Sequence, residues 1–519
     1  MTIVAPPRRC ARRKWPVIDC SSAKRYLSAQ FRGWMRIVVN RGGVAMKNGK
    51  KGALLTMSVI LLMAMACPDT SGSTPGKRLG SSFRRAPVNG WTLVHLEGNP
   101  RDLGYQHGYW LAEEIADMKA VSELGLKQST QKDWSFFRRE ARTMMWPHIE
   151  EEYREELQGI TDGAQAKGQK LDLWDIVAMN GLLEWEYYTK QYDRARGDTA
   201  TVRRSVPERC SAFVATGSYT ADGKVVIAHN NWSGYLEGSR WTIVFDIDPS
   251  SGYRFIMDGL PGFIASDDDF GINAAGIMIT ETTITGFEGY DPAGIPEFVR
   301  ARKAMQYSAS IDDFARIMKE GNNGGYANDW LVADRKTNEI ASLELGLKHV
   351  TLQRTHDGYF VGANFPKNLK LAQQETTCDV NDSGASCNAR RIRWEQLIAA
   401  HRGRIDAAAA QRFMADHYDT YAGTEIPCER TLCGHVDLSP RGMSAWQPPY
   451  GPAGVVQNKV ADAALGGAMA FLAAAGHACG MDFNAAEHLK AHPQFSWQEK
   501  LLRDLPARPW TRVSVEKFN

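Results

Sequence analysis

The chain has 519 residues, of which 43% are hydrophobic and 10% are aromatic, and its formal net charge is +3. This composition is typical of a globular protein with a sizeable core. A net charge this small excludes the strong basic excess expected of a nucleic-acid-binding protein, so we predict no nucleic-acid partner.

Residues 1–66 are predicted to form a leader. From Met46 three lysines precede an apolar run over about 53–65, and Ala64 and Ala66 stand just before Cys67. A membrane-spanning helix needs roughly 20 apolar residues, so this shorter run favours a secretory signal and export to the periplasm or the medium. A retained membrane anchor and a lipid attached to Cys67 stay open as alternatives. Residues 1–45 are interpreted as an upstream extension.

Residues 67–209 are predicted to form a mainly helical segment. A strand-like run begins at Trp91, and apolar residues then recur at helical spacing through about residue 185. The stretch from Tyr192 to Arg209 is polar, basic and poor in large apolar side chains. We therefore expect an exposed loop there that can be cleaved.

From Cys210 onwards the pattern changes to short strands. The turn at Asp222-Gly223 predicts a hairpin that returns the chain beside Cys210. Further strand-like runs alternate with helical patterns up to about residue 363, and helical patterns return from about 388 to 480. Strands joined by hairpins, with helices grouped between them, predict an α+β fold of stacked antiparallel sheets covered by helices. The alanine-rich stretch Ala461–Ala475 predicts one buried helix.

The cysteines outside the leader suggest short disulfide loops. Cys378 and Cys387 flank one polar turn, and Cys428 and Cys433 flank another. In an oxidising compartment each pair is predicted to form a disulfide. The sequence has no His and Cys spacing typical of a zinc site, so we expect no structural metal.

Cys210 is the principal candidate for a nucleophile, because it opens a strand directly after the cleavable loop. A cut before this residue would give it a free α-amine with an unperturbed pKa of roughly 7.7–8.0, which can act as a general base. The thiolate is the attacking species. No cofactor is needed for this chemistry. Without the cut, Cys210 is interpreted as an ordinary buried cysteine.

The residues expected beside Cys210 suit such chemistry. The hairpin would bring His229, Asn231 and Trp232 to the thiol, where they can orient it and hold a substrate carbonyl. Asn328 follows a glycine-rich stretch and opens a strand, where its amide could stabilise an oxyanion. The plainer alternatives are a core histidine and an asparagine that binds its own turn.

Several blocks occur in order between residue 210 and the C-terminus. They are Cys210-Ser-Ala, Val-Ile-Ala-His229-Asn230-Asn-Trp232, Leu260–Phe270, Gly276–Thr283, Gly324–Asp334, Asp437–Pro440, Asn458-Lys459-Val and Phe495-Ser-Trp497. In this order they resemble the phospholipase B-like family of the N-terminal nucleophile hydrolase superfamily.

The resemblance implies a four-layer αββα sandwich, with residues 210–519 as the catalytic core. It implies that Cys210 is the nucleophile and new N-terminus, and that His229 and Asn231 line the site. Asn328 would lie at the oxyanion side. Four residues are expected near the substrate: Trp232, Asp268, Thr282 and Thr283.

Two departures from the family pattern leave the substrate open. Position 329 is Asp where the family usually has an amide, and residues 98–108 are more similar to penicillin-type acyltransferases. The first hypothesis is a self-processed hydrolase of acyl esters or amides, most concretely a phospholipase B-like lipid acyl hydrolase. An N-acyl amide hydrolase or acyltransferase is the second hypothesis, and a secreted lipid-binding protein without turnover is the third. The expected partner is a small acyl lipid or N-acyl amide. Contact with a membrane surface and the oligomeric state stay open.

Overall fold

The structure is a computed structural model that describes residues 78–197, 210–443 and 447–514. The leader with Cys67 and the junction before Cys210 lie outside these residues, so the signal and the cut remain predictions. The described residues belong to one compact unit. Among them, no helix combines the length and apolar character needed to cross a membrane.

Strands β1 to β17 follow one another along the described chain. They are Phe83–Arg84 (β1), Thr92–Gly98 (β2), Ser211–Thr216 (β3), Val226–Gly234 (β4), Ile243–Pro249 (β5), Phe255–Gly259 (β6), Gly271–Asn273 (β7), Ile277–Thr283 (β8), Asn328–Asp334 (β9), Glu339–Leu345 (β10), Val350–Thr355 (β11), Gly358–Gly362 (β12), Tyr418–Asp419 (β13), Thr424–Glu425 (β14), Ala453–Asp462 (β15), Ala470–Ala475 (β16) and Thr511–Ser514 (β17).

Helices occupy the stretches between groups of strands. The α-helices are Pro100–Trp110, Ala112–Thr130, Trp134–Glu140, Glu151–Ala166, Leu173–Asn180, Trp185–Ala195, Tyr235–Gly238, Glu297–Tyr307, Ile311–Lys319, Leu369–Glu375, Ser386–Ala400, Ala407–Met414, Ala463–Gly467 and Ala485–Ala491. A π-helical turn lies at Ala141–Met145, and 3₁₀ turns lie at Trp146–His148, Gly217–Tyr219 and Pro493–Gln498.

The strands form two main sheets. The large sheet has the order β1-β2-β5-β6-β7-β8-β9-β10-β11, and the small sheet has the order β12-β3-β4-β15-β16-β17. Neighbouring strands are antiparallel except for β2 and β5, which are parallel. The strands β13 and β14 form a separate pair.

Buried side chains hold the two sheets together face to face. One apolar cluster combines residues of both sheets, such as Val214 of β3 and Leu331 of β9. A second joins helices to the other face of the large sheet, and its members include Ile160 of a helix and Trp330 of β9. A third covers the other face of the small sheet with the helices Ser386–Ala400 and Ala407–Met414. The predicted four-layer αββα sandwich is thus confirmed, and both sheets are apolar on both faces because each lies between two layers.

The alanine-rich stretch is the main error of the sequence-based prediction. Residues 461–475 are not one helix: β15 ends at Asp462, a short helix covers Ala463–Gly467, and β16 covers Ala470–Ala475. Alanine favours helices intrinsically, but Ala461 and Ala473 are buried in the apolar cluster between the two sheets. Pairing of β16 with β15 and β17 therefore outweighs the local preference.

Two further predictions need correction. The start of the expected loop, from Tyr192 to Ala195, continues a helix, and residues 198–209 lie outside the described part. Neither predicted disulfide is formed, since Cys378, Cys428 and Cys433 carry free thiols. The Cys428 sulfur lies instead 3.7 Å from Asp419 Oδ2. Short sequence separation therefore did not identify thiols that meet in the fold.

Candidate active site

Cys210 lies immediately before β3, between the two sheets, and is 1% exposed. Its backbone φ is +81°, which is unusual and costly for a residue with a side chain. Arg390 Nη1 donates to the Cys210 carbonyl oxygen at 2.7 Å and to Ser211 Oγ at 2.9 Å. Strong hydrogen bonds thus hold this backbone in a strained conformation at the predicted cleavage junction.

The hairpin of β3 and β4 places two of the predicted residues next to Cys210. Ser211 pairs with Asn230 and Ala212 pairs with His229, so the predicted pairing of the two strands is confirmed, although residues 217–225 connect them in place of a tight turn. Since side chains alternate along a strand, His229 and Asn231 share the face that looks towards the large sheet. The Cys210 sulfur lies 4.0 Å from Asn231 Oδ1.

Glu281 on β8 contributes a carboxylate to this site that was not predicted from the sequence. Its Oε1 lies 3.8 Å from the Cys210 sulfur and accepts a hydrogen bond of 2.8 Å from the Tyr326 hydroxyl. All seven residues of β8 are buried. A charged residue in such a buried strand is costly unless it has partners, and that cost is the signal that could have identified it.

A buried charge cluster borders the site on the side of His229. Lys459 on β15 is bound to Asp258 at 2.9 Å and also to Asp268. Its ammonium lowers the pKa of Asp268 against the effect of burial, whereas burial and the Asp268 charge raise the pKa of Asp258 to about 7. His229 Nδ1 lies 3.9 Å from Asp268 Oδ2. The predicted residue Asp268 is therefore next to His229, as part of a paired cluster.

The environment suppresses ionisation of both Cys210 and His229. Burial raises the pKa of the Cys210 thiol well above its usual value, and the Glu281 carboxylate raises it further. The backbone N–H of Trp232 is directed at the sulfur and opposes this rise. Burial, helped by the Lys459 charge, lowers the pKa of His229 to about 3. His229 is consequently neutral in the physiological range, and the thiol keeps its proton until a base reaches it.

Several buried polar groups on β4, β8 and β9 have no hydrogen-bond partner among the described residues. They are both ring nitrogens of His229, Nδ2 of Asn231, Oγ1 of Thr283, and both amide atoms of Asn328. Thr283 and Asn328 are paired across β8 and β9. Buried polar groups are nearly always satisfied, so unsatisfied ones in this number indicate a place for substrate or water.

The side chains of Thr282 and Trp232 pack on other groups of the small sheet. Thr282 packs against Gly362 of the small sheet, where any side chain on Gly362 would clash with it. The Trp232 ring lies on the opposite face of β4, in an apolar cluster with Val455 and with the Arg390 guanidinium 4.6 Å from its centre. The Trp232 side chain therefore supports Arg390, and only its backbone N–H contacts the thiol.

Asp329, the departure from the family pattern, is satisfied within the protein. Lys367 Nζ lies 2.5 Å from its Oδ2, and the Ser342 hydroxyl donates to its Oδ1 at 2.6 Å. The ligand atoms of Cys210, His229 and Glu281 lie within 4.8 Å of one another, so these three residues could also hold a metal ion.

Comparison with known proteins gives a consistent family. The model of the family described as Phospholipase B matches residues 111–376, which is just over half of the chain. Human "Phospholipase B-like 1" is 25% identical over 46% of this chain and 46% of its own. "Phospholipase-B 81" of Drysdalia coronoides is 25% identical over 57% of this chain and 55% of its own.

A third relative has a similar identity and coverage. An uncharacterized protein of Archaeoglobus fulgidus is 25% identical over 54% of this chain and 49% of its own. The matches thus span about half the length of these relatives. Among solved structures, a mutant of the conjugated bile acid hydrolase from Clostridium perfringens overlaps 51% of this chain and 88% of its own, with 11% identity and a TM-score of 0.30.

Proposed function

The chain belongs to the phospholipase B family, and on that premise we propose that it is a self-processed hydrolase with Cys210 as its N-terminal nucleophile. The proposal rests on one observation above the others. The Cys210 thiol lies in a buried cluster with Asn231 and Glu281, and buried polar groups on the same strands, β4 and β8, have no partner among the described residues. The substrate is an acyl ester or amide, most concretely a lipid acyl ester.

In the self-cleavage step the Cys210 sulfur attacks the carbonyl carbon of residue 209. The C–N bond breaks, the Cys210 nitrogen takes up the thiol proton, and a thioester joins the two parts. Water then hydrolyses the thioester, which leaves a carboxylate on residue 209 and a free thiol and amine on Cys210. The strained φ of Cys210 supports this step, because strain at the broken bond is released.

In turnover the new α-amine accepts the thiol proton, and the thiolate attacks the substrate carbonyl. The alcohol or amine leaves with a proton, and water hydrolyses the acyl-thioester. The unpartnered amide of Asn328 and the N–H of Trp232 are the proposed oxyanion donors. Removal of one such donor costs about 10²–10³ in kcat.

The test of the proposal is the covalent state of the purified protein. We expect a denaturing gel to show two fragments, and N-terminal sequencing to find Cys210 first in the larger one. Cys210→Ala is expected to abolish both cleavage and activity on a panel of phospholipids and N-acyl amides. Cys378→Ser is the matched control, because this thiol lies outside the site. Active protein with an unbroken chain at residue 210 would refute the proposal.

The same panel separates the related functions. Release of fatty acid from N-acyl amides alone would identify an amidase, and product formation only with an added amine would identify an acyltransferase. A cleaved protein that binds lipid without turnover would support the binding hypothesis. Export is proposed with the hydrolase and is tested by cell fractionation.

A further inference from the structure

Four His and Cys side chains meet at one end of the small sheet, away from Cys210. They come from three loops: His417 precedes β13, Cys433 and His435 lie before β15, and Cys479 follows β16. One ligand atom of each residue lies within 4.8 Å of those of the other three. His435 and Cys433 are buried, and the other two residues are partly buried.

The distances in this cluster fit a tetrahedral metal site. His435 Nε2 lies 3.8 Å from the Cys433 sulfur and 3.6 Å from the Cys479 sulfur. With Zn–S near 2.3 Å and Zn–N near 2.0–2.1 Å, tetrahedral geometry puts nitrogen and sulfur ligands about 3.5 Å apart. A zinc ion therefore fits between these atoms with little movement.

The surroundings hold His435 in the orientation that a ligand needs. Its Nδ1 faces Asp437 Oδ1 at 3.8 Å, so its Nε2 faces the two sulfurs. Asp437 in turn accepts a hydrogen bond of 2.8 Å from the Tyr235 hydroxyl, and His477 stacks on the His435 ring at 4.1 Å. A carboxylate behind a histidine ligand is the usual outer arrangement of zinc sites.

We propose that His417, Cys433, His435 and Cys479 bind one zinc ion as a closed, structural site. Four protein ligands leave no position for a substrate, which distinguishes the site from a catalytic one. Both thiols lose their protons to solvent when the ion binds, and the imidazoles bind in the neutral form.

The proposed zinc site would also stabilise the residues that position Cys210. Gly434, between two of the ligands, packs so closely on the Trp232 ring that a Cβ there would clash with it. The guanidinium of Arg390 packs on the Trp232 ring and donates a hydrogen bond to the Cys210 carbonyl oxygen. The loop of residues 433–435 thus packs on Trp232 of β4, and through Trp232 it supports Arg390, which positions Cys210. The proposed zinc site does not depend on the proposed activity.

The test is the metal content of the full chain, which is purified without chelator and measured by inductively coupled plasma mass spectrometry. We expect about one zinc per chain. Cys479→Ser should lower it at least about tenfold. Cys378→Ser and Cys210→Ala should keep it, because those thiols lie outside the site. Metal loss in Cys210→Ala but not in Cys479→Ser would overturn the proposal in favour of an ion at the nucleophile.

A second measurement covers the case in which Cys479→Ser does not fold. Wild-type protein is stripped with a chelator and refilled with Co²⁺ alone. The expected spectrum has thiolate-to-cobalt charge-transfer bands and the visible bands of tetrahedral cobalt, and stripping should lower Tm. Absence of these bands, or a peptide map with Cys433 and Cys479 joined as a disulfide, would overturn the proposal.

Discussion

At the scale of single residues, the groups around the Cys210 sulfur act on its pKa in opposite directions. Burial and Glu281 raise it, and the backbone N–H of Trp232 lowers it. His229 cannot help as a cation, because burial lowers its pKa to about 3. The thiol therefore needs a base close to it, and the base that we propose is the α-amine that the proposed cut would release.

The charge of Glu281 can be tested directly. In Glu281→Gln the carboxylate no longer raises the pKa of the thiol, so the rising limb of the pH profile of kcat/KM should move to lower pH. The control is Glu339→Gln, which removes a carboxylate on β10 of the same sheet that is bound to Arg354. An unchanged limb in Glu281→Gln would contradict this assignment.

A buried histidine should make stability depend on pH. His107 Nε2 accepts a hydrogen bond of 2.8 Å from the Gly262 N–H, and burial, with Arg302, lowers its pKa to about 3. Above the unfolded pKa of about 6.5 both states are neutral, so no stability is lost. As pH falls from 6.5 towards 3, the unfolded state binds the proton and the folded state loses stability.

This dependence is measured as a difference between two proteins. Between about pH 6.5 and pH 5 the wild type should lose about 2 kcal/mol relative to His107→Gln, because the glutamine amide can accept the same hydrogen bond but does not titrate. Chemical unfolding at both pH values gives the difference. If the difference between the proteins does not change with pH, the buried neutral state of His107 is wrong.

At the scale of elements, the helices Pro100–Trp110 and Glu151–Ala166 cross with their backbones in contact. Gly104 and Gly108 of the first helix face Gly159 and Gly163 of the second, and a Cβ at any of these positions would collide with backbone atoms of the other helix. Glycine is needed here for close approach, and the contact fixes the helical layer on the large sheet.

Gly108→Ala should therefore destabilise the protein by at least about 3 kcal/mol, since the backbones must separate to admit the methyl group. Gly467→Ala is the matched control: its new Cβ would meet only the Arg335 guanidinium, at 3.7 Å, and alanine is the better helix former. Thermal unfolding compares the two variants. Equal Tm values in the two variants would show that the two helices separate at little cost in free energy.

The elements also show which sequence signals were sufficient. The alternation after Cys210 predicted the antiparallel pairing of β3 with β4, because the two strands follow each other closely in the chain. The tight turn predicted at Asp222-Gly223 is wrong: residues 217–225 connect the strands and include the 3₁₀ turn Gly217–Tyr219. The stretch Ala461–Ala475 misled, because alanine carries no information about partners that are distant in sequence. The same reason explains the missed contact between Glu281 and Cys210.

At the scale of the whole molecule, the N-terminal helical segment and the predicted catalytic core share one hydrophobic core. Strand β2 lies inside the large sheet, parallel to β5, and Leu103 and Ile160 of the helices belong to the cluster that includes Trp330 of β9. A cut before Cys210 would therefore leave these contacts in place.

We expect the cleaved protein to remain one particle. It should elute as a single species in size-exclusion chromatography without denaturant and separate into two fragments only in denaturant, because dissociation would expose the core. The uncleaved Cys210→Ala variant, which should give one band in both conditions, is the control. Spontaneous separation of the fragments would contradict the shared core.

The sequence by itself determined the layered α+β class, most strand and helix positions, and Cys210 as the residue with His229 and Asn231 beside it. These features depend on local periodicity and on the pairing of strands that follow each other in the chain, which neighbouring residues encode. The tertiary structure alone decided the contact of Glu281 with Cys210, the inward and outward faces of β4, and the meeting of His417 with Cys479. Those contacts join residues far apart in the chain, and only the packing of two sheets brings them together.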